Sequence, residues 1–211
     1  MLTVDTVALA TVVALMSFFY LKDQFLEPIP LIIRSFLLGT LLVFPVMFIQ
    51  HAFIAEGFIL NDLFESFFQI ALLEEFLKWF IFMFTMYHHD EFDDHYDGMI
   101  YAVAISLGFA SVENILYLLT NGIEYAFSRA VFPVSSHALF GVIMGYYFGK
   151  AKIRDSRTNY NLFLAFFIPF LLHGLYNYIL QVFTVNLMYY LIPFMAMLWM
   201  YGLHRMKIAN Q

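Results

Sequence analysis

The sequence predicts an all-α protein, a polytopic transmembrane bundle of about seven spanning helices. Three observations lead there. The chain is 63% hydrophobic and only 12% charged, with a mean hydropathy of +0.78, whereas soluble domains carry about 25% charged residues. Its apolar residues fall into runs of about 18–25, the length that crosses a hydrocarbon core. Its Lys and Arg residues gather in alternate connections, as a membrane-inserted chain requires.

The elements follow in order. The first run, 3–21, lacks a basic start and ends in Tyr20-Leu21-Lys22 with no small-residue cleavage site. It therefore reads as a retained helix rather than a signal peptide. A second helix is expected over 31–50 and a third over 63–87. The third is apolar except near its middle, where Glu74, Glu75 and Lys78 lie. The fourth, 97–120, repeats small or amide residues at every fourth position (Gly98, Ala102, Ser106, Ala110, Asn114). Such a stripe lets a neighbouring helix approach closely. The fifth, 131–149, carries His137, Gly141, Gly145 and Gly149 at the same spacing, so His137 points into the bundle. The sixth, 160–180, places His173 and Asn177 one turn apart, with Gly174 beside the histidine. The seventh is 185–204. The stretches 51–62 and 121–130 read as short interfacial or re-entrant pieces. No Pro/Gly/Ser linker divides the chain, so residues 1–211 form one membrane domain, with a motif-bearing core of about 60–180.

Orientation comes from the basic residues. Lys150, Lys152, Arg154 and Arg157 come after helix five, Arg205 and Lys207 end the chain, and Lys22 and Arg34 flank the first connection. With seven helices all of these share one side, and only Arg129 lies opposite. The N-terminus is then outside and the C-terminus cytoplasmic. At about 1.5 Å per residue, the glutamates lie ~17 Å below the outer edge, Glu113 and His173 ~10 Å, and His137 ~6–9 Å. Four helices thus carry polar groups in one half of the membrane.

Carboxylates there cost roughly 2.5–3.5 kcal/mol each, so they call for a reason. Adjacent glutamates on a helix point about 100° apart, which suits different tasks. Lys78 is i+4 from Glu74 and i+3 from Glu75, and either could pair with it. A structural Glu–Lys pair accounts for one glutamate but not two. Glu113, beside the small-residue stripe, faces protein rather than lipid, and alone it reads as an interhelical hydrogen bond. A lone intramembrane histidine is more often a packing residue; the company of His137 and His173 changes that. A histidine with an amide, His173 and Asn177, can donate to a developing oxyanion. The loop from His88 to His95 has metal-ligand residue types but lies on the other side of the membrane, and reads as a solvated connection. Ser135 and Ser136 lack a nucleophile-elbow pattern. No cysteine is present, which excludes thiolate chemistry and disulfides. The formal charge of −6 says little, because the charges are segregated by loop.

These residues coincide with a family. Glu74-Glu75-Phe76-Leu77-Lys78-Trp79 resembles the EExxK signature of the PrsW family. Asp97-Gly98, Tyr101, Gly108-Phe109-Ala110, Glu113-Asn114 and Tyr117 resemble its second signature. His137-Ala138-Leu139-Phe140 resembles the third, and His173-Gly174-Leu175-Tyr176-Asn177 the fourth. PrsW-like proteins are similar to the broader superfamily of CAAX prenyl endopeptidases and bacteriocin-immunity proteins. The resemblance implies an intramembrane protease. It implies the first, extracytoplasmic-side cut in a membrane-spanning anti-sigma factor, which activates an extracytoplasmic-function sigma factor under envelope stress.

The expected mechanism is glutamic. One of Glu74 and Glu75 activates a water, Glu113 or His137 orients it or relays its proton, and His173 with Asn177 stabilises the oxyanion. Lys78, Asn114 and Gly174 support them. No cofactor or metal is expected. The partners expected are the lipid bilayer, a single-pass anti-sigma factor as substrate and no nucleic acid; the glycine stripes pack either within one chain or between two copies. The alternatives are a zinc protease with the same residues as ligands, a proton or ion transporter, and a sensor or immunity protein that binds a partner helix. No HExxH motif favours the first, and no internal repeat favours the second.

Overall fold

The computed structural model describes residues 2–58, 61–153 and 157–211. Arg154, one of the residues used to orient the chain, lies outside the described residues. Helices α1 (Leu2–Tyr20) and α2 (Ile29–Ala55) come first. A third helical run starts as α3 (Asp62–Phe64), capped by the Asn61 side chain, passes through a π-helical stretch (Glu65–Ala71) and continues as α4 (Leu72–Thr85). Then come α5 (Asp97–Asn121), a 3₁₀ turn (Ile123–Tyr125), α6 (Ala126–Arg129), a second π-helical stretch (Ala130–Val134) and α7 (Ser135–Ile153). Helices α8 (Thr158–Val182) and α9 (Leu187–Ala209) complete the bundle.

The described residues are helical with no strand, as the sequence predicts. Five runs among them are long and apolar enough to cross a bilayer: Ile29–Ala55, Asp97–Asn121, Ile123–Ile153, Thr158–Val182 and Leu187–Ala209. The run Asp62–Thr85 has the length but carries Asp62, Glu65, Glu74, Glu75 and Lys78, and this polar load separates it from the others. Two expectations are corrected. Residues 51–55 continue α2, because no Gly or Pro follows Pro45 until Gly57, which takes a positive φ of 73°. Residues 123–130 are not a separate short piece; they join the helical run into α7, and Gly122 (φ 110°) breaks that run from α5.

Helices α5 and α7 form the centre. Nearly every residue of α5 from Asp97 to Ser111, and of α7 from Ser135 to Gly149, is buried. Their contact rests on the two small-residue stripes. A Cβ on Gly145 would lie 2.2 Å from the Gly98 carbonyl oxygen, and one on Gly98 would lie 2.6 Å from that of Gly145. No larger residue allows that approach, so the stripes pack within one chain. Helices α1 and α2 cover one side of α5, while α8 and α9 cover α7. The outer faces are apolar: Phe44, Phe48, Phe84 and Phe127 are exposed. In a lipid-facing bundle such faces are solvated by acyl chains, which explains the abundance of phenylalanine.

Candidate active site

Four helical runs converge on one buried cluster. From α4 come Glu74, Glu75 and Lys78; α5 gives Glu113, α7 His137 and α8 His173. Lys78 sits at the centre and is fully buried. Its Nζ donates to Glu75 Oε1 at 2.8 Å and to His137 Nδ1 at 3.1 Å, and lies 3.6 Å from Glu74 Oε2. An ammonium has only protons to give, so His137 Nδ1 accepts and its proton is on Nε2. That Nε2 donates to Glu113 Oε2 at 3.1 Å. On the other side, His173 Nδ1 donates to Glu75 Oε1 at 2.9 Å. Its Nε2 faces Glu74 Oε2 at 4.0 Å. The His137 and His173 rings stand edge to face, 5.0 Å between centroids.

The two glutamates are not equivalent. Glu75 is completely buried and held by Lys78 and His173. Glu74 lines a cleft of about 380 Å³ between α2, α4 and α5, with Val43, Met47, Ile70, Phe109 and Glu113 among its walls. Its Oε2 is buried without a hydrogen-bond partner. The 100° offset between neighbours thus sends one carboxylate to the network and the other to the cleft.

Both π-helical stretches sit directly before residues of the cluster: Glu65–Ala71 ends three residues before Glu74, and Ala130–Val134 three before His137. Each widened turn shifts the register of the helix beyond it. Pro133, which has no N–H to give the ladder, marks the second. Nothing in the apolar pattern marks the first.

The remaining expected residues divide. Asn177 lies one turn beyond His173, and its Nδ2 is buried without a hydrogen-bond partner, so it does not join the bonded cluster. The Asn114 side chain accepts from Arg129 Nε at 3.2 Å. At Gly174 a Cβ would lie 2.3 Å from the Phe67 ring, so this glycine admits a side chain of the π-helical stretch rather than a neighbouring backbone. Asp97 and Gly98, within the second signature, lie elsewhere: Asp97 accepts the backbone N–H groups of Asp93 and Asp94 and faces Asp23 and Glu27 at the opposite end of α5. The loop from His88 to His95 begins beyond the far end of α4, ~18 Å along the helix from Glu74. Its His95 is tied to the Tyr146 carbonyl. Sequence reasoning used Arg129 only to mark a side of the membrane. In the structure it forms an ion pair with Glu113 at 3.3 Å.

A family model described as PrsW family intramembrane metalloprotease matches residues 27–201. The chain belongs to the PrsW family. It is 61% identical to Protease PrsW of Oceanobacillus iheyensis over 212 residues, covering all of this chain and 98% of that protein. Protease PrsW of Geobacillus kaustophilus is 50% identical over 211 residues, covering all of this chain and 93% of that protein. For Protease PrsW of Bacillus subtilis the figures are 48% over 212 residues, all of this chain and 97% of that protein. No solved structure matches. As a PrsW-family member the chain is a membrane-embedded peptidase.

The family description raises the question of a metal, and the donor set can be tested against one. One donor atom each from Glu74, Glu75, His137 and His173 lies within 4.8 Å of the others, and all four residues are buried. Glu74 Oε2 and Glu75 Oε2 are buried and unpartnered. In type and spacing these donors fit a divalent cation. Lys78 competes with it, since Nζ already takes Glu75 Oε1 and His137 Nδ1.

Proposed function

We propose that this PrsW-family peptidase makes the extracytoplasmic-side cut in a membrane-spanning anti-sigma factor by a glutamic mechanism, with Glu74 as general base. The substrate assignment rests on the signature motifs. The choice of base rests on one observation: Glu74, unlike Glu75, lines the cleft, and its Oε2, 4.0 Å from His173 Nε2 and 3.6 Å from Lys78 Nζ, accepts no hydrogen bond. A water entering from the cleft would meet the Glu74 carboxylate beside the His173 ring. As this water attacks the scissile carbonyl, Glu74 takes its proton. The carbonyl oxygen becomes an oxyanion and is stabilised by hydrogen bonds from the His173 ring and the Asn177 amide. Glu74 then gives the proton to the leaving nitrogen as the C–N bond breaks. Glu75 orients the His173 ring through its Nδ1, in the way a carboxylate supports the histidine of a triad. Lys78 pairs with Glu75, and His137 with Glu113 fixes the ammonium.

The Lys/Arg asymmetry supports an outside N-terminus and a cytoplasmic C-terminus in a bacterial cell membrane, with the cleft in the outer half of the bilayer. The second reading is a metal-assisted peptidase, favoured by the four-donor cluster. Glu74, Glu75, His137 and His173 would hold the cation, which would polarise the attacking water. The Lys78 ammonium, already bonded to two of those donors, favours the first reading. The test is peptide cleavage by purified protein after long treatment with 1,10-phenanthroline, alongside elemental analysis. The glutamic mechanism predicts full activity with no bound transition metal. Activity lost to the chelator and restored by stoichiometric zinc rejects it.

A further inference from the structure

Arg129 stands outside every signature motif, yet it grips three residues on successive turns of α5. Its Nη2 donates to Glu113 Oε1 at 3.3 Å and its Nε to Asn114 Oδ1 at 3.2 Å. Its guanidinium lies 4.3 Å from the centroid of the Tyr117 ring. The other oxygen of Glu113 receives His137 Nε2–H at 3.1 Å. One carboxylate is thus held from both sides by residues of a single helical run.

The second π-helical stretch makes this possible. In an uninterrupted α-helix eight steps rotate a side chain by about 800°, which leaves Arg129 and His137 ~80° apart. The π turn absorbs one extra residue. The rotation then falls to about 700°, within ~20° of two full turns, and both residues point at Glu113. The chain of contacts continues inward from Arg129 through Glu113, His137, Lys78 and Glu75 to His173.

We infer that Arg129 is a positioning residue for hydrolysis: by clamping Glu113 it sets which His137 nitrogen meets Lys78, and so holds the Glu75–His173 pair in register. Arg129 acts through Glu113 and not on the reacting atoms. Its planar fork meets Glu113 and Asn114 together, which a lysine ammonium on one flexible stem cannot do. This inference rests on the glutamic reading above, and the test separates the two.

The experiment measures kcat and KM for a membrane-anchored peptide with purified R129A, R129K and E74Q. Thermal unfolding is followed for each. R129A is expected to lower kcat about tenfold or more, the usual scale for a group that orients the groups contacting the reaction, with KM within about twofold. R129K, which fills the site and keeps the charge, is expected to lose activity as well. Millimolar guanidinium should restore kcat to R129A and leave R129K unchanged, an outcome that a merely structural role does not produce. Wild-type kcat in folded R129A or R129K overturns the inference. So does a raised KM with unchanged kcat, which makes Arg129 a substrate contact. Full activity in E74Q overturns the glutamic reading instead, whatever Arg129 does.

Discussion

At the scale of single residues, charge and burial decide what each carboxylate does. Lys78 and Glu75 form a completely buried pair, an arrangement in which losing one partner costs about 3–5 kcal/mol because the other charge is stranded. Glu74 is held more loosely, 3.6 Å from the same ammonium and without a hydrogen bond to it, and lines the cleft. A second carboxylate group sits between α1 and α2, where Asp23 and Glu27 meet Asp97. Burial, with the Asp97 charge adding to it, pushes the Glu27 carboxyl up to about 8; the Tyr101 hydroxyl, which bonds it, acts in the opposite direction. The folded protein therefore keeps a proton on Glu27 that the unfolded chain has lost above about pH 4.5. Stability on this account is full below pH 4.5 and declines as pH rises through 8. Thermal unfolding across that range, wild type beside E27Q, checks this: the glutamine variant should flatten the decline. An unchanged slope in E27Q removes Glu27 as its source. Sequence reasoning found the site carboxylates and histidines because helical spacing and intramembrane cost both point at them. It could not divide Glu74 from Glu75, since that depends on which neighbours lie 100° around the helix. It missed the contacts of Arg129, which lies in a connection between two apolar runs, where a basic side chain looks like a topology marker.

At the scale of elements, the bundle is organised by close approach along glycine stripes. The stripes were legible from their i+4 repeat. Their consequence is that α5 and α7 meet backbone to backbone at Gly98 and Gly145. Replacing Gly145 by Leu puts a side chain where a Cβ alone would meet the Gly98 oxygen at 2.2 Å. The helices must then separate, and the loss should exceed the ~1–3 kcal/mol of ordinary overpacking because backbone cannot yield as a side chain does. G145L should lower the melting temperature in detergent by several degrees and reduce cleavage with it, since His137 rides on α7 and Glu113 on α5. A melting temperature equal to wild type contradicts the packing. The hydropathy pattern did not reveal the π-helical stretches, because one extra residue in a turn leaves an apolar run apolar; only Pro133 marks one of them. They nonetheless set the register of Glu74 and His137. The apparent unity of the second signature also dissolves at this scale. Asp97 and Glu113 share a motif, but about sixteen residues of helix hold them ~24 Å apart.

At the scale of the whole molecule, the helical runs of the described residues place the cluster on the side where Arg129 lies, and Lys150, Lys152, Arg157 and Lys207 at the other end. The chain has no cysteine, so single cysteines report cleanly. With an impermeant thiol reagent on intact cells, E56C should label and R157C should not; both positions are exposed. The opposite pattern inverts the orientation and moves the cleft to the cytoplasmic half. The fold class was readable from hydropathy because bilayer thickness and backbone hydrogen bonding leave few choices. What hydropathy could not supply is the convergence of α4, α5, α7 and α8 on Lys78, which depends on crossing geometry. The central claim is that Glu74 is the group that takes the water's proton. The most direct measurement is cleavage of a membrane-anchored peptide by purified E74Q, with folding checked by its melting temperature. Glutamine keeps the shape and cannot accept the proton, so the rate should fall about 100-fold or more at unchanged stability. A folded E74Q that cuts at the wild-type rate would contradict the account.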